Sequence, residues 1–416
     1  MNNIVSSIRK TNSTIKFLFL AILLVRIVLI LQPSFQIDMS AWQAWAARLV
    51  QVGPMNFYDK NIWTNYTPGY LFFLWVLGLV LNGVLNIDFF SPVFVFVIKL
   101  TTTLFDLATA IIIFKILKER NLFWASVGVI LYLANPAIIF NSSVWGQIDG
   151  ILTFFILWAV YLIVEKKRVS LSVVSLIEAF LIKPQAMAVF PIYFLLHFKI
   201  LISNFLKYLP AVILIFSFYS FLFFPKNFLF GLINLILQMT KDYSMTSLYA
   251  FNLWAIIGWW KDDAIKFMGI PYSIWGIGMY LLFLAIIAIP QILIKNKNKL
   301  NLYLIYSLGI TIFYLFPTRV HDRYIFPLFA FLLIVALINK SKILLAIYIL
   351  VSVINFFNLW YVYYYYNFIY NNPVFSNNNF YKLISDNYKF LSLLLIFSFI
   401  VLLYKYLKLN LYAKRT

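Results

Sequence analysis

The sequence predicts an all-α protein that crosses a membrane many times, and three observations predict it. Of 416 residues, 64% are hydrophobic and 11% are charged, against about 45–50% and about 25% in soluble domains. Apolar runs near the ~20 residues needed to cross a bilayer recur along the whole chain, for example at 17–31, 205–224, 274–294 and 391–404. The basic residues fall between these runs in small clusters rather than in one patch.

Those clusters are Arg9/Lys10/Lys16, Lys115/Lys118/Arg120, Lys166/Lys167/Arg168, Lys295/Lys297/Lys299, Lys340/Lys342 and Lys405/Lys408/Lys414/Arg415. Cytoplasmic loops carry an excess of Lys and Arg, so the clusters mark the cytoplasmic face. The net charge of +20 therefore speaks for a lipid bilayer as partner and against nucleic acid. Cysteine is absent, which excludes disulfides, thiolate metal sites and cysteine nucleophiles. The first apolar run follows a basic N-terminus but has no small-residue cleavage site before Gln32-Pro33, so it reads as a retained span. No internal repeat and no soluble segment interrupts the pattern. One membrane domain over 1–416 is expected, multi-pass in the cell membrane, with the N-terminus cytoplasmic.

With the clusters inside, the outer loops are 33–69, 141–149, 225–273, 318–323 and 361–389, and Lys183 marks a short sixth excursion. Residues 70–86 and 92–117 look like two spans that would return the chain to the outside, against Lys115/Lys118/Arg120. The expected count is thus about 12 or 13 helices, with its parity open. In the first outer loop, Trp42, Trp45, Leu49 and Val50 share one helical face, which predicts a helix lying flat on the outer surface. Gly53-Pro54 breaks it. The aromatic run 361–370 predicts a belt at the interface.

Four clusters could carry chemistry. Asp38 stands just after the first span, either as a helix cap or as a general base at the membrane surface. The stretch 142–150 combines Trp145, Gln147 and Asp149 where one span ends and the next begins; Asp149 could cap that helix, but Trp145 and Gln147 have no such role. In the loop at 318–323, two of only eight arginines, Arg319 and Arg323, flank His321 and Asp322 on a face where basic residues are unexpected. Arg matches phosphate oxygens with a fork of donors, so an anionic ligand would explain them; a loop salt bridge with Asp322 is the alternative. Lys183 lies in an apolar hairpin, where an ionisable group is usually functional; it could face a phosphate or pair with Glu178. Lys99 and Asp106, seven apart, read as a structural pair. No metal motif, Gly-rich phosphate loop or Ser/His/Asp set is present, although one acidic residue near His321 could hold a divalent cation.

These elements resemble bacterial membrane glycosyltransferases of the C-type fold (GT-C), in particular the group related to the second mannosyltransferase of GPI-anchor assembly. The resemblance rests on Asp38 in a long first outer loop, Asn65-Tyr66-Thr67-Pro68-Gly69-Tyr70, Trp145-Gly146-Gln147-Ile148-Asp149, Lys183-Pro184-Gln185, Ala250-Phe251-Asn252-Leu253-Trp254 and His321-Asp322-Arg323-Tyr324-Ile325-Phe326-Pro327. It runs from about residue 20 to about residue 330. Asp322 stands where the family more often has Glu, and Tyr249 where Asn is expected before Ala250.

The resemblance implies transfer of a hexose, mannose favoured, from a polyprenyl-phosphate donor to a glycan, lipid or protein acceptor at the outer face. Asp38 would be the base. Lys183, Arg323, His321 and Arg319 would meet the donor phosphate. Trp145, Gln147, Asp149, Tyr66, Asn252, Asp322 and Tyr324 would bind substrate. A transporter or flippase for a lipid-linked sugar would instead place ionisable residues at mid-membrane in both halves, and a non-catalytic assembly subunit would need none of the loop clusters.

Overall fold

The computed structural model describes residues 2–59, 63–293 and 299–413, and the side chains of 13–59, 63–291 and 302–409. The basic clusters Arg9/Lys10, Lys295/Lys297/Lys299 and Lys414/Arg415 lie outside the described side chains. The chain is a helical bundle whose apolar helices are compatible with a polytopic membrane protein. Among the described residues, six helices are long and apolar enough to cross a bilayer, a bent pair could form a seventh span, and six apolar helices are shorter. By length and composition alone, then, six or seven spans stand where about 12 or 13 were expected.

In chain order, α1 (Asn2–Ile30) leads into α2 (Gln36–Val52), α3 (Pro68–Gly78) and α4 (Pro92–Lys118). The bent pair is α5 (Leu122–Leu133) with α6 (Pro136–Ile139), and the latter widens into a π turn, Phe140–Trp145. Then come α7 (Asp149–Val164), α8 (Val169–Ile182), α9 (Phe190–Ser203), α10 (Phe205–Phe223) and α11 (Gly231–Met239). A two-strand hairpin, Lys266–Phe267 with Ile270–Pro271, precedes α12 (Tyr272–Leu293), α13 (Lys299–Leu315), α14 (Leu328–Ile338), α15 (Lys342–Tyr364) and α16 (Asn379–Ala413).

Local chemistry explains many boundaries. Ser91 caps α4, accepting from Phe94 N, with Pro92 as the first helical residue. Asn121, Asn135 and Ser341 cap α5, α6 and α15 in the same way. Inside α1, the buried Arg26 donates to Asp106 Oδ2 at 2.8 Å and to the Leu133 carbonyl at 3.0 and 2.9 Å. It thereby satisfies the carbonyl freed where α5 gives way to α6. This corrects the expected Lys99–Asp106 pair: Asp106 belongs to Arg26, and Lys99 Nζ donates to the Gln32 carbonyl at 2.7 Å.

The helix expected in the first outer loop is present as α2, and its apolar face is covered by protein. The helix begins at Gln36, and Trp42 and Trp45 are buried against Tyr66 and Tyr70 instead of facing lipid. Protein rings satisfy the apolar face that the periodicity alone assigned to the bilayer. The 361–370 aromatics are likewise only partly a belt, since Tyr361 and Tyr363 are buried.

The segment 68–84 is one continuous apolar helix, α3 running on into a π turn over Leu79–Val84. At its start, Gly69 abuts the Leu181 backbone at the end of α8. Beyond its other end, Phe89 O accepts from Gln43 on α2 at 3.0 Å. The Lys99–Gln32 contact sets the beginning of α4 beside the end of α1. At the far end, Lys166 lies 3.7 Å from Glu119.

Candidate functional site

The site is assembled where α2, the turn before α7, the end of α8 and the 316–327 loop meet. Asp38 lies in the first turn of α2, but it does not cap that helix. Phe35 is the N-cap residue and makes no side-chain cap bond. Instead Asp38 Oδ2 accepts from Trp145 Nε1 at 2.8 Å and from Gln147 Nε2 at 2.7 Å, while Oδ1 has no hydrogen bond among the described residues. Gln147 is oriented from its other side, where Oε1 accepts from Tyr66 OH at 3.1 Å and Ile148 N at 2.9 Å. Its amide is therefore committed to donate toward Asp38.

Gly146 makes this approach feasible. Its φ of +87° is left-handed, and a Cβ there would sit 2.9 Å from both Lys99 Cγ and Met39 Cε. Only glycine suits both constraints, and the turn it makes sends Trp145 and Gln147 back to one carboxylate oxygen.

Asp149 begins α7 and is fully buried, again without capping. Its Oδ1 accepts from Lys183 Nζ at 2.6 Å and Gln185 Nε2 at 3.0 Å, and its Oδ2 accepts from Asn141 Nδ2 at 3.1 Å. The alternative Glu178–Lys183 pair is absent, since Glu178 accepts from Tyr219 OH at 3.1 Å. A buried charge must be paired and hydrogen-bonded, and the Asp149–Lys183 bridge does both. Lys183 also lies 5.9 Å from the Tyr324 ring centroid.

Arg323 packs its guanidinium 5.7 Å from the centre of a Trp145 ring. It reaches Asp322 Oδ1 at 3.3 Å, and its Nε is buried without a partner. Arg319 is engaged differently. Its Nε and Nη2 grip Asp263 at 2.7 and 3.1 Å, and Nη1 donates to Thr240 O at 2.5 Å. Arg319 therefore ties the long outer loop down, and its charge is already matched. Asn252 is also occupied as a cap, accepting from Trp254 N and Ala255 N.

Asp38, His321, Asp322 and Arg323 line one cavity of about 210 Å³, walled by rings that include Trp42, Trp63, Tyr66, Tyr243, Trp260 and Tyr366. Sequence periodicity missed Trp63, Tyr243, Tyr249, Trp260 and Tyr366, because the first four lie in irregular loops and Tyr366 in the π turn that follows α15. Backbone geometry marks three of them: Tyr243, Tyr249 and Trp260 all have positive φ, as does Arg319. Such conformations in bulky residues cost about 1–3 kcal/mol each and cluster where function holds them. A second cavity of about 290 Å³ adjoins the first, sharing Asn65, Tyr243, Leu248 and His321 and adding Arg319 and Tyr324.

The charges act on one another here. Burial, then Arg323 and Lys183, push His321 well below the usual imidazole range, so it is neutral. Burial raises Asp322 to about 7; Arg323 opposes this, while Asp38 and Asp149 add to it. Among the described residues no group of three or more His, Asp or Glu could hold a metal ion, and Asp322 beside His321 gives at most two ligands. Comparison with protein-family models and with curated proteins gives no match for this chain.

Proposed function

We propose that this protein is a membrane glycosyltransferase of the C-type fold, moving a hexose, mannose favoured, from a polyprenyl-phosphate donor to an acceptor at the outer face of the cell membrane. The observation that carries this reading is Asp38. One oxygen is held by Trp145 and Gln147, and the other has no partner among the described residues, at the wall of an aromatic cavity that Arg323 shares. Apolar and aromatic walls with a few convergent polar groups are what small-molecule sites use, and stacked rings suit the faces of a sugar.

In the reaction, Asp38 takes the proton of an acceptor hydroxyl as that oxygen bonds to the anomeric carbon. The bond from this carbon to the donor phosphate oxygen breaks, and the polyprenyl phosphate leaves with the electron pair. The negative charge that develops on it needs a fixed cation. Arg323 suits that role, because its Nε has no partner and its contact to Asp322 is long. Lys183 contributes mainly by fixing Asp149, and through it the turn that presents Trp145 and Gln147.

The expected experiment uses purified protein in nanodiscs with polyprenyl-phosphate mannose and a panel of lipid and glycan acceptors. Sugar transfer should be detected, and Arg323→Ala should weaken binding of a non-hydrolysable donor analogue while Asp38→Asn leaves that affinity unchanged. Vesicle flux of the intact donor without any transfer would instead identify a transporter.

A further inference from the structure

Three carboxylates and two cations converge at the site: the buried Asp149 and Asp322 and the half-buried Asp38, against Lys183 and Arg323. Arg319 does not enter this balance, since Asp263 neutralises it. With all carboxylates ionised, the site would carry a net negative charge while being asked to admit a phosphate. One of the three is bound differently from the rest. Asp149 has three donors, and Asp38 has two at 2.7–2.8 Å. Asp322 has one long contact from Arg323, at 3.3 Å, where charge-assisted N–H···O bonds run at about 2.7–2.9 Å. Its Oδ2 is buried with no partner among the described residues. Yet Asp322 is held firmly, since its carbonyl accepts from Asn355 Nδ2 at 2.9 Å, and it lines the cavity with Asp38.

We propose that Asp322 works as a neutral carboxylic acid that offers its proton as a hydrogen bond to an oxygen of the sugar in the cavity it lines, leaving Asp38 as the proton acceptor there. This rests on the glycosyltransferase reading and deepens it. A protonated carboxyl is a strong hydrogen-bond donor in a dry site, and apolar surroundings are what keep it neutral. It also frees the charge of Arg323 for the phosphate. The groups facing Asp322 are Arg323 and Tyr324 on its own loop, Asp38 on α2, Asp149 at α7, Lys183 at the end of α8, Tyr314 on α13 and Tyr366 after α15. Burial is the largest influence and, with both neighbouring carboxylates, favours the neutral form against the two cations; Asp322 titrates at about 7.

Two measurements test this, one of them without turnover. Infrared difference spectra of wild type against Asp322→Asn should show a protonated-carboxyl stretch that the variant lacks and that fades as pH rises through about 7. In the transfer assay, Asp322→Asn keeps a donor at that position and should stay within about threefold of wild type, while Asp322→Ala should fall about 10- to 100-fold. The alkaline limb of the wild-type pH profile should be absent in Asp322→Asn. A missing carboxyl band overturns the proposal whether or not the protein transfers sugar. So does an Asn variant as inactive as the Ala variant, which is the result expected of an anionic or metal-binding Asp322. If wild type transfers nothing at all, the proposed function fails, and the infrared result alone decides the protonation state.

Discussion

A carboxylate that is to accept a proton must be held in place without having its lone pairs consumed, and Asp38 meets both conditions through two donors on one oxygen. Asparagine keeps an oxygen for Trp145 and Gln147 but cannot take a proton. Asp38→Asn should therefore lower transfer by about 10²–10⁴-fold with little change in the thermal midpoint. A variant that stays active but melts earlier would make Asp38 a structural link. Lys183 should behave in the opposite way. Removing it strands the buried Asp149, and breaking a buried pair from one side costs about 3–5 kcal/mol. Lys183→Met should thus melt well below wild type, and adding Asp149→Asn should recover part of the loss. No recovery in the double variant would mean that the pair is not what holds this turn.

At the scale of elements, the site depends on close backbone approaches. Gly69 at the start of α3 faces the end of α8 so closely that a Cβ would lie 2.6 Å from Leu181 O. The obstacle is backbone and cannot rotate away. Gly69→Ala should therefore destabilise by about 1–3 kcal/mol, as overpacking does, and should disturb Lys183 two residues on. A thermal midpoint equal to wild type would show that α3 can shift freely there. Arg26 plays a comparable part at the α5–α6 break, where it serves a carbonyl in one helix and a carboxylate in another. Nothing in the local sequence around Arg26 announces this, because its partners lie 80 and 107 residues away along the chain, on other helices.

For the whole molecule, the placement of 68–84 bears on the open parity. We propose that this segment packs against α2 without completing a crossing, so that the six long helices, the bent pair and the remaining five short apolar helices make about twelve crossings. Both termini and each basic cluster then fall on one side, in keeping with the charge rule. The test uses single cysteines, which the chain otherwise lacks. Asp88→Cys should react with an impermeant reagent in intact cells, and Lys118→Cys only after permeabilisation. Labelling of position 118 in intact cells would overturn this topology.

What the sequence determined by itself was the solvent and much of the cast. Runs such as 205–224 and the clusters between them are properties of consecutive residues, so composition and spacing suffice to read a bilayer from them. Asp38, Gln147, Lys183 and Arg323 stood out because polar groups are rare in such a chain. Tertiary structure alone decided their partners. Periodicity states which face of α2 is apolar but not whether lipid or Tyr66 and Tyr70 will cover it. The spacing of Lys99 and Asp106 puts them on one face, but Arg26 from another helix competes for the same carboxylate and wins at 2.8 Å. How each carboxylate is bound is likewise set by neighbours far apart in sequence: Asp38 has two close donors, whereas Asp322 has one long contact.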